Sequence, residues 1–167
     1  MEIERVSFAD EVAQALAARL EAELLGTYDG VPGSRGLPSP DIFEPPAGAF
    51  LVGRTGGEPV ACGGVCRYDE RAGELRRMYV VPAARGRGLS RILLAALEDE
   101  SRGLGYKALR LETGRLQHAA IGLYRSAGYE PIDRYGPFVD DERSRCFEKR
   151  LGGLGGTALA AGARWRA

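Results

Sequence analysis

The sequence predicts an α+β fold, layered α/β/α, around a mixed and mostly antiparallel sheet with one parallel strand pair. Three observations predict it. The middle of the chain reads as strand, glycine loop, helix and strand, a βαβ unit whose strands run parallel with a right-handed crossover. Ahead of it, two apolar runs meet at Gly56-Gly57, a hairpin signature. Behind it, a second helical pattern precedes two short runs that read as a closing antiparallel pair.

Taken in order, Ile3 to Ser7 reads as the first strand. Ser7-Phe8-Ala9-Asp10 has capping-box spacing. Val12, Leu16, Leu20 and Leu24 then recur every four residues, so Ala9 to Leu25 is an amphipathic helix. Residues 26–48 hold glycines and prolines in number and form a long loop, with one turn at Asp41 to Phe43. Loops of this length inside a compact domain are functional or disordered. Ala49 to Arg54 and Val60 to Arg67 are the hairpin strands, and Gly63-Gly64 marks a bulge or a close backbone approach. Tyr68 to Gly73 is a polar turn.

The central strand starts near Glu74. Met78 to Val81 is its short apolar, β-branched part, and Pro82 ends it because proline cannot donate to a ladder. Leu89, Ile92, Leu93, Ala96 and Leu97 make the apolar stripe of a helix from Leu89 to Arg102. Gly103-Leu104-Gly105 closes that helix. Ala108 to Thr113 is the parallel partner strand. Residues 114–117 form a loop, and Ala119 to Ala127 is a helix broken by Gly128-Tyr129. Tyr129 to Arg134 and Arg143 to Leu151 are the last strands, linked through Tyr135-Gly136-Pro137. One domain spans 1–151. The Gly/Ala-rich tail, 152–167, is expected to pack weakly, with Trp165 able to dock on a surface groove.

Composition narrows the function. A 167-residue chain buries roughly 70% of its unfolded surface and needs no staple. Acidic and basic residues number 23 each, so no net field draws nucleic acid or an anionic membrane. Cys62, Cys66 and Cys146 fit neither a disulfide framework nor a zinc site. Reduced, buried thiols, a charged start (Met1-Glu2-Ile3-Glu4-Arg5) and the lack of any apolar run of about 18 residues point to a cytoplasmic protein with no membrane span.

The chemistry concentrates in Arg85-Gly86-Arg87-Gly88-Leu89-Ser90, which feeds the central strand into a helix start. Helix starts carry unpaired amides and positive partial charge, so this is an anion site. It is neither dinucleotide loop nor P-loop: Arg91 stands where GxGxxG needs its third glycine, and no Gly-Lys-Ser/Thr follows. The hexapeptide resembles the pyrophosphate loop of the GNAT superfamily of acyl-CoA-dependent N-acetyltransferases: Arg or Gln, two variable residues, Gly, one variable residue, then Gly or Ala. Arg85 and Gly88 match, and Ser90 replaces the final small residue. Met78-Tyr79-Val80-Val81-Pro82 is similar to the family's strand. A second stretch, Gln117 to Tyr129, resembles the family's Asn-x-x-Ala-x-x-x-Tyr followed by Gly-Phe or Gly-Tyr. Gln117 replaces the Asn, while Ala120, Tyr124 and Gly128-Tyr129 match.

The resemblance implies the GNAT fold and acetyl-CoA as co-substrate. The pyrophosphate would sit on the amides of Gly86 to Ser90, Leu89 included, with Arg85 and Arg87 alongside and Gln117 nearby. The pantetheine arm would pair with the backbone of Met78, Tyr79 and Val80, provided the parallel strands splay after Val80. The Val80 amide would polarise the thioester, and Tyr124 would protonate the leaving thiolate. Glu74, placed on the Met78 face by period two, is the preferred base, and Glu112 competes. His118 reads as a surface residue. The resemblance also puts Tyr28, Asp29, Asp41, Phe43 and Glu44 near the acceptor. The implied activity is acetyl transfer to a primary amine by direct attack, a small molecule being favoured. A protein N-terminus or lysine, a non-catalytic acyl-CoA-binding module and an α/β phosphate-binding domain are the rivals, and a homodimer stays open.

Overall fold

In the computed structural model, which describes residues 1–31 and 39–152, the chain forms β1 (Glu2–Val6), α1 (Glu11–Thr27), β2 (Ala49–Thr55), β3 (Glu58–Arg67), β4 (Ala72–Val80), α2 (Leu89–Gly103), β5 (Ala108–Gly114), α3 (His118–Ser126), β6 (Glu130–Ile132) and β7 (Ser144–Arg150). The seven strands make one sheet in the order β1-β2-β3-β4-β5-β7-β6. Every neighbouring pair is antiparallel except β4 with β5. The predicted mixed sheet is therefore the observed one. Trp165 and the tail beyond Gly152 lie outside the described residues.

Two apolar layers hold the helices on opposite faces. Leu93, Leu94 and Leu97 of α2 and Tyr124 of α3 pack with Leu75, Leu109 and Leu111 in one core. Ala13, Leu16 and Ala17 of α1 pack with Phe8, Phe43, Phe50 and Tyr79 in the other. Rings of Phe8, Phe43 and Phe50 lie 4.8 to 5.2 Å apart, tilted or edge-on. Phe43 is thus a core residue and not an acceptor contact, which corrects the expectation drawn from its loop position. The cap of α1 also differs from expectation. Asp10, not Ser7, accepts from the Val12 and Ala13 amides at 2.8 and 3.4 Å. Ser7 instead donates to Glu44 at 2.7 Å.

The sheet is irregular along β3 and β4 and between β4 and β5. Along β3 and β4, Gly64 pairs with Arg76 but Cys62 pairs with Tyr79. Two steps on β3 face three on β4, and Arg77 absorbs the extra residue with φ +60°. Gly64 is the close approach foreseen at that pair of glycines: a Cβ there would come within 2.6 Å of the Phe43 ring. The β4–β5 pairing covers only Ala72 to Leu75 against Ala108 to Leu111. The strands part after Leu75, several residues before Val80, so the splay is longer than expected. Among the described residues no helix is long and apolar enough to cross a membrane. The three cysteines are buried thiols, none in a disulfide.

Candidate active site

At the head of α2, Gly86 and Gly88 take φ of +75° and +76°, a conformation that L side chains rarely hold. Gly88 caps the helix without any side-chain hydrogen bond. Among the described residues, the amides of residues 86–90 have no protein partner, whereas those of Arg91 and Ile92 both reach the Gly88 carbonyl. Five adjacent donors and a helix dipole thus converge on one exposed spot beside Arg87, which is itself exposed. Arg85 has partners of its own at this end of the loop. Its Nε donates to the Val80 carbonyl at 2.9 Å, and its terminal nitrogen meets both Glu23 oxygens at 2.8 Å. It braces the loop against α1 while its guanidinium lies over the Tyr79 ring.

The backbone of β4 continues the site. The Val81 amide bonds to the Val60 carbonyl on β3. Strand groups alternate direction, so the Val80 amide and carbonyl face away from β3, into the splay. Val80 O accepts from Arg85 rather than from a strand, which agrees. Met78, two residues back and beyond the bulge, points its backbone the same way. The Tyr79 side chain goes to the α1 face, opposite Cys62 in the second core.

A cavity of about 190 Å³ opens where the strands part. Met78, Glu74, Glu112, Gln117 and Tyr124 all line it, so the structure brings these predicted residues together. Tyr124 is 7% exposed, and its hydroxyl donates to Met78 Sδ at 3.6 Å, a weak bond. Burial, then the charge of Glu112, pushes its phenol above the ordinary tyrosine value. It therefore holds its proton at neutral pH. Glu74 is 4% exposed and accepts from the Tyr135 hydroxyl at 2.9 Å. Glu112 accepts from Ser144 Oγ at 2.7 Å.

Glu74 does not share a face with Met78. It pairs with Cys66 of the α1-side core, while Met78 packs with the α2-side core. The bulge at Arg77 breaks the period-two count. Both line the cavity because it passes through the opened sheet. His118 is exposed at the start of α3 and does not line the cavity. Of the loop residues expected near the acceptor, Tyr28 alone lines it, its hydroxyl accepting from the Leu116 amide at 3.2 Å. Asp29 is exposed, Asp41 bonds Ser39 and Glu44 holds Ser7.

Several lining residues carry no sequence signal. Leu20, Leu24 and Leu25 of α1 form one wall. Arg77 pairs with Glu21 at 2.5 Å, and Arg143 pairs with Asp141 at 2.9 Å, holding that carboxyl below the usual range. Tyr135, which holds Glu74, comes from the β6–β7 connection. Only the helical spacing of the leucines was visible, and it read as core.

The model of the acetyltransferase (GNAT) family matches residues 12–129, most of the chain. The chain belongs to the GNAT family of acetyltransferases. This acetyltransferase is 42% identical over 116 residues to "IAA acetyltransferase" of Azospirillum brasilense, which is 69% of this chain and 72% of that one. It is 35% identical over 95 residues to the N-acetyltransferase YjgM of Escherichia coli, 55% of this chain and 57% of the relative. Among solved structures, a protein described as an acyl-CoA N-acyltransferase from Klebsiella pneumoniae superposes with a TM-score of 0.76 at 36% identity, covering 90% of this GNAT chain and 97% of that one. An acetyltransferase of Salmonella typhimurium, solved with acetyl-CoA, shares the fold at a TM-score of 0.67 and 21% identity, covering 95% and 97%.

Proposed function

We propose that this GNAT acetyltransferase moves the acetyl group of acetyl-CoA onto the primary amine of a small molecule by direct attack. One observation carries the reading: a single opened strand pair has unpartnered helix-start amides at one end and a buried, protonated phenol in its cavity. Acetyl-CoA fits the residues present. Its diphosphate matches the amides of residues 86–90 and the charge of Arg87, and its amide-bearing arm matches the outward backbone of Met78 and Val80. Bound there, it supplies the activated acyl group.

The chain's residues supply the rest. The Val80 amide donates to the thioester oxygen, where charge develops. Glu74, directly or through water, takes one proton from the acceptor ammonium and later yields it to solvent. The amine nitrogen then attacks the carbonyl carbon; the C–N bond forms and the C–S bond breaks. Tyr124 gives its proton to the departing sulfur and is recharged by the proton that the new amide nitrogen sheds. The products are the N-acetyl amine, CoA thiol and one proton. A cavity of about 190 Å³ favours a small acceptor, since drug-sized ligands occupy pockets of roughly 300 Å³ or more.

The test is thiol release from acetyl-CoA across a panel of small primary amines and N-terminal peptides, with binding followed by calorimetry. Turnover with small amines supports the reading. Tight acetyl-CoA binding with no thiol release would reduce the protein to a binding module, and release with peptides alone would move the acceptor to proteins.

A further inference from the structure

The loop at the head of α2 does not hold its own shape. Among the described residues, the amides of residues 86–90 have no protein partner. Gly86 and Gly88 stand at φ +75° and +76°, and glycine loses more backbone freedom on ordering than any other residue. Gly88 caps the helix with no side-chain hydrogen bond. The shape of the loop is therefore set from its two ends. Downstream it runs into α2. Upstream it leaves β4 through one short turn, Pro82–Ala84, which the Arg85 amide closes on the Pro82 carbonyl at 3.2 Å.

The Arg85 side chain fastens that upstream end. Its Nε donates to the Val80 carbonyl at 2.9 Å, and one terminal nitrogen donates to both Glu23 oxygens at 2.8 Å. Its guanidinium carbon lies 5.6 Å from the centre of the Tyr79 ring. The Val80–Val81 peptide is thereby gripped on both sides, since the Val81 amide bonds to the Val60 carbonyl at 2.9 Å. Val80 and Tyr79 belong to the strand itself, so Glu23 is the member of this seat that α1 contributes. Glu23 is exposed and does not line the cavity. By charge alone it is misplaced, because it repels an anion and draws Arg85 away from one. Its position makes physical sense if Arg85 works by geometry.

We propose that Glu23 is a positioning residue for acetyl-CoA. It holds Arg85 on the Val80 carbonyl and so fixes the start of the loop in the shape that offers the amides of residues 86–90 to the diphosphate. Arg85 then serves the co-substrate through the loop, and Arg87 supplies the charge beside it. The inference rests on the diphosphate placement above and adds the side chains that preorganise it. The Glu23 and Arg85 side chains are 40% and 46% exposed, so the pair is worth no more than about fivefold in affinity.

The experiment measures acetyl-CoA affinity by calorimetry at low salt for the wild type, Glu23→Gln, Arg85→Gln, Arg85→Lys and the double variant Glu23→Gln/Arg85→Gln. Glu23→Gln is expected to weaken binding about three- to fivefold, although loss of a negative charge would by Coulomb attraction alone tighten it. In turnover the same loss is expected in KM for acetyl-CoA, with kcat within twofold. Arg85→Gln is expected to cost at least as much, and the double variant no more than Arg85→Gln, because Glu23 acts through Arg85. Arg85→Lys keeps the charge without the fork that reaches Val80 and Glu23 together, and is expected to bind no better than Arg85→Gln. Unchanged Tm certifies each variant, and the two Arg85 variants decide the matter even if Glu23→Gln does not fold. Unchanged or tighter binding in Glu23→Gln, a loss carried by kcat, additive losses in the double variant, or wild-type affinity in Arg85→Lys overturn the inference and leave the diphosphate placement standing. A wild-type protein that does not bind acetyl-CoA overturns both.

Discussion

Removing a single oxygen separates chemistry from architecture at this site. In Tyr124→Phe the ring stays, with its edge contact to Tyr129 at 5.7 Å and its place in the α2-side core. The hydroxyl's one hydrogen bond among the described residues is to Met78 Sδ at 3.6 Å. A neutral intramolecular bond is worth about 1 kcal/mol, and one to sulfur at this distance less. Stability should therefore change by under about 1 kcal/mol, or no more than roughly 4 °C in Tm for a chain of this size. The chemical loss is of another order. General acid catalysis contributes about 10²–10⁴-fold, so kcat should fall at least a hundredfold, about 2.7 kcal/mol of transition-state free energy. The phenol's raised pKa adds a sign: a group that keeps its proton to above the usual tyrosine range gives no alkaline limb to kcat below about pH 10. Three measurements check this: steady-state thiol release against pH, acetyl-CoA affinity by calorimetry, and thermal unfolding. A variant with full affinity, near-native Tm and kcat within threefold of wild type would remove Tyr124 from the chemistry. Equal losses of affinity and turnover would make it a packing residue.

Three further outcomes follow from the geometry. Glu74→Gln should lower kcat/KM at neutral pH about a hundredfold, whereas Glu112→Gln should cost far less; the reverse order would make Glu112 the base. Arg87→Ala should weaken acetyl-CoA binding about tenfold at low salt and less at high salt, since a charge-assisted phosphate contact is worth about 1.5 kcal/mol; salt-independent affinity in both proteins would place the diphosphate elsewhere. Cys62 has its thiol pushed from 9.0 up to about 12 by burial, against the pull of Arg77. The unfolded chain therefore gives up this proton first, and stability should fall as pH climbs from about 9 to 12, by roughly 1.4 kcal/mol per unit. Urea unfolding of Cys62→Ala should show that part of the decline missing, and parallel curves would disprove it.

What was legible in the sequence was whatever depends on local backbone chemistry. Gly86 and Gly88 are needed because the loop takes left-handed angles there, and Pro82 stops β4 because it has no donor. Helix periodicity located α1 and α2 to within two residues. The far wall of the cavity was opaque because long-range packing makes it. Tyr135 reaches Glu74 from 61 residues away in sequence, and the leucines of α1 look the same whether they meet a core or a cavity. Phe43 sits in a proline-rich loop and still belongs to an aromatic core, because Gly64 leaves room for its ring.

The bulge at Arg77 explains why reading β4 by alternation failed. A left-handed, non-glycine residue costs roughly 1–2 kcal/mol and leaves no mark in sequence. Its carbonyl accepts from Cys62 and its guanidinium is tied to Glu21. By adding one residue to β4, it turns Met78 toward α2 and α3 while Glu74 and Arg76 stay toward α1. One strand thereby presents Met78 and the pair Glu74 and Arg76 to opposite sides of a single opening. A regular strand would put Glu74 and Met78 on the same face. Under the proposed chemistry, the extra residue would let amine and thioester approach from different sides of the sheet.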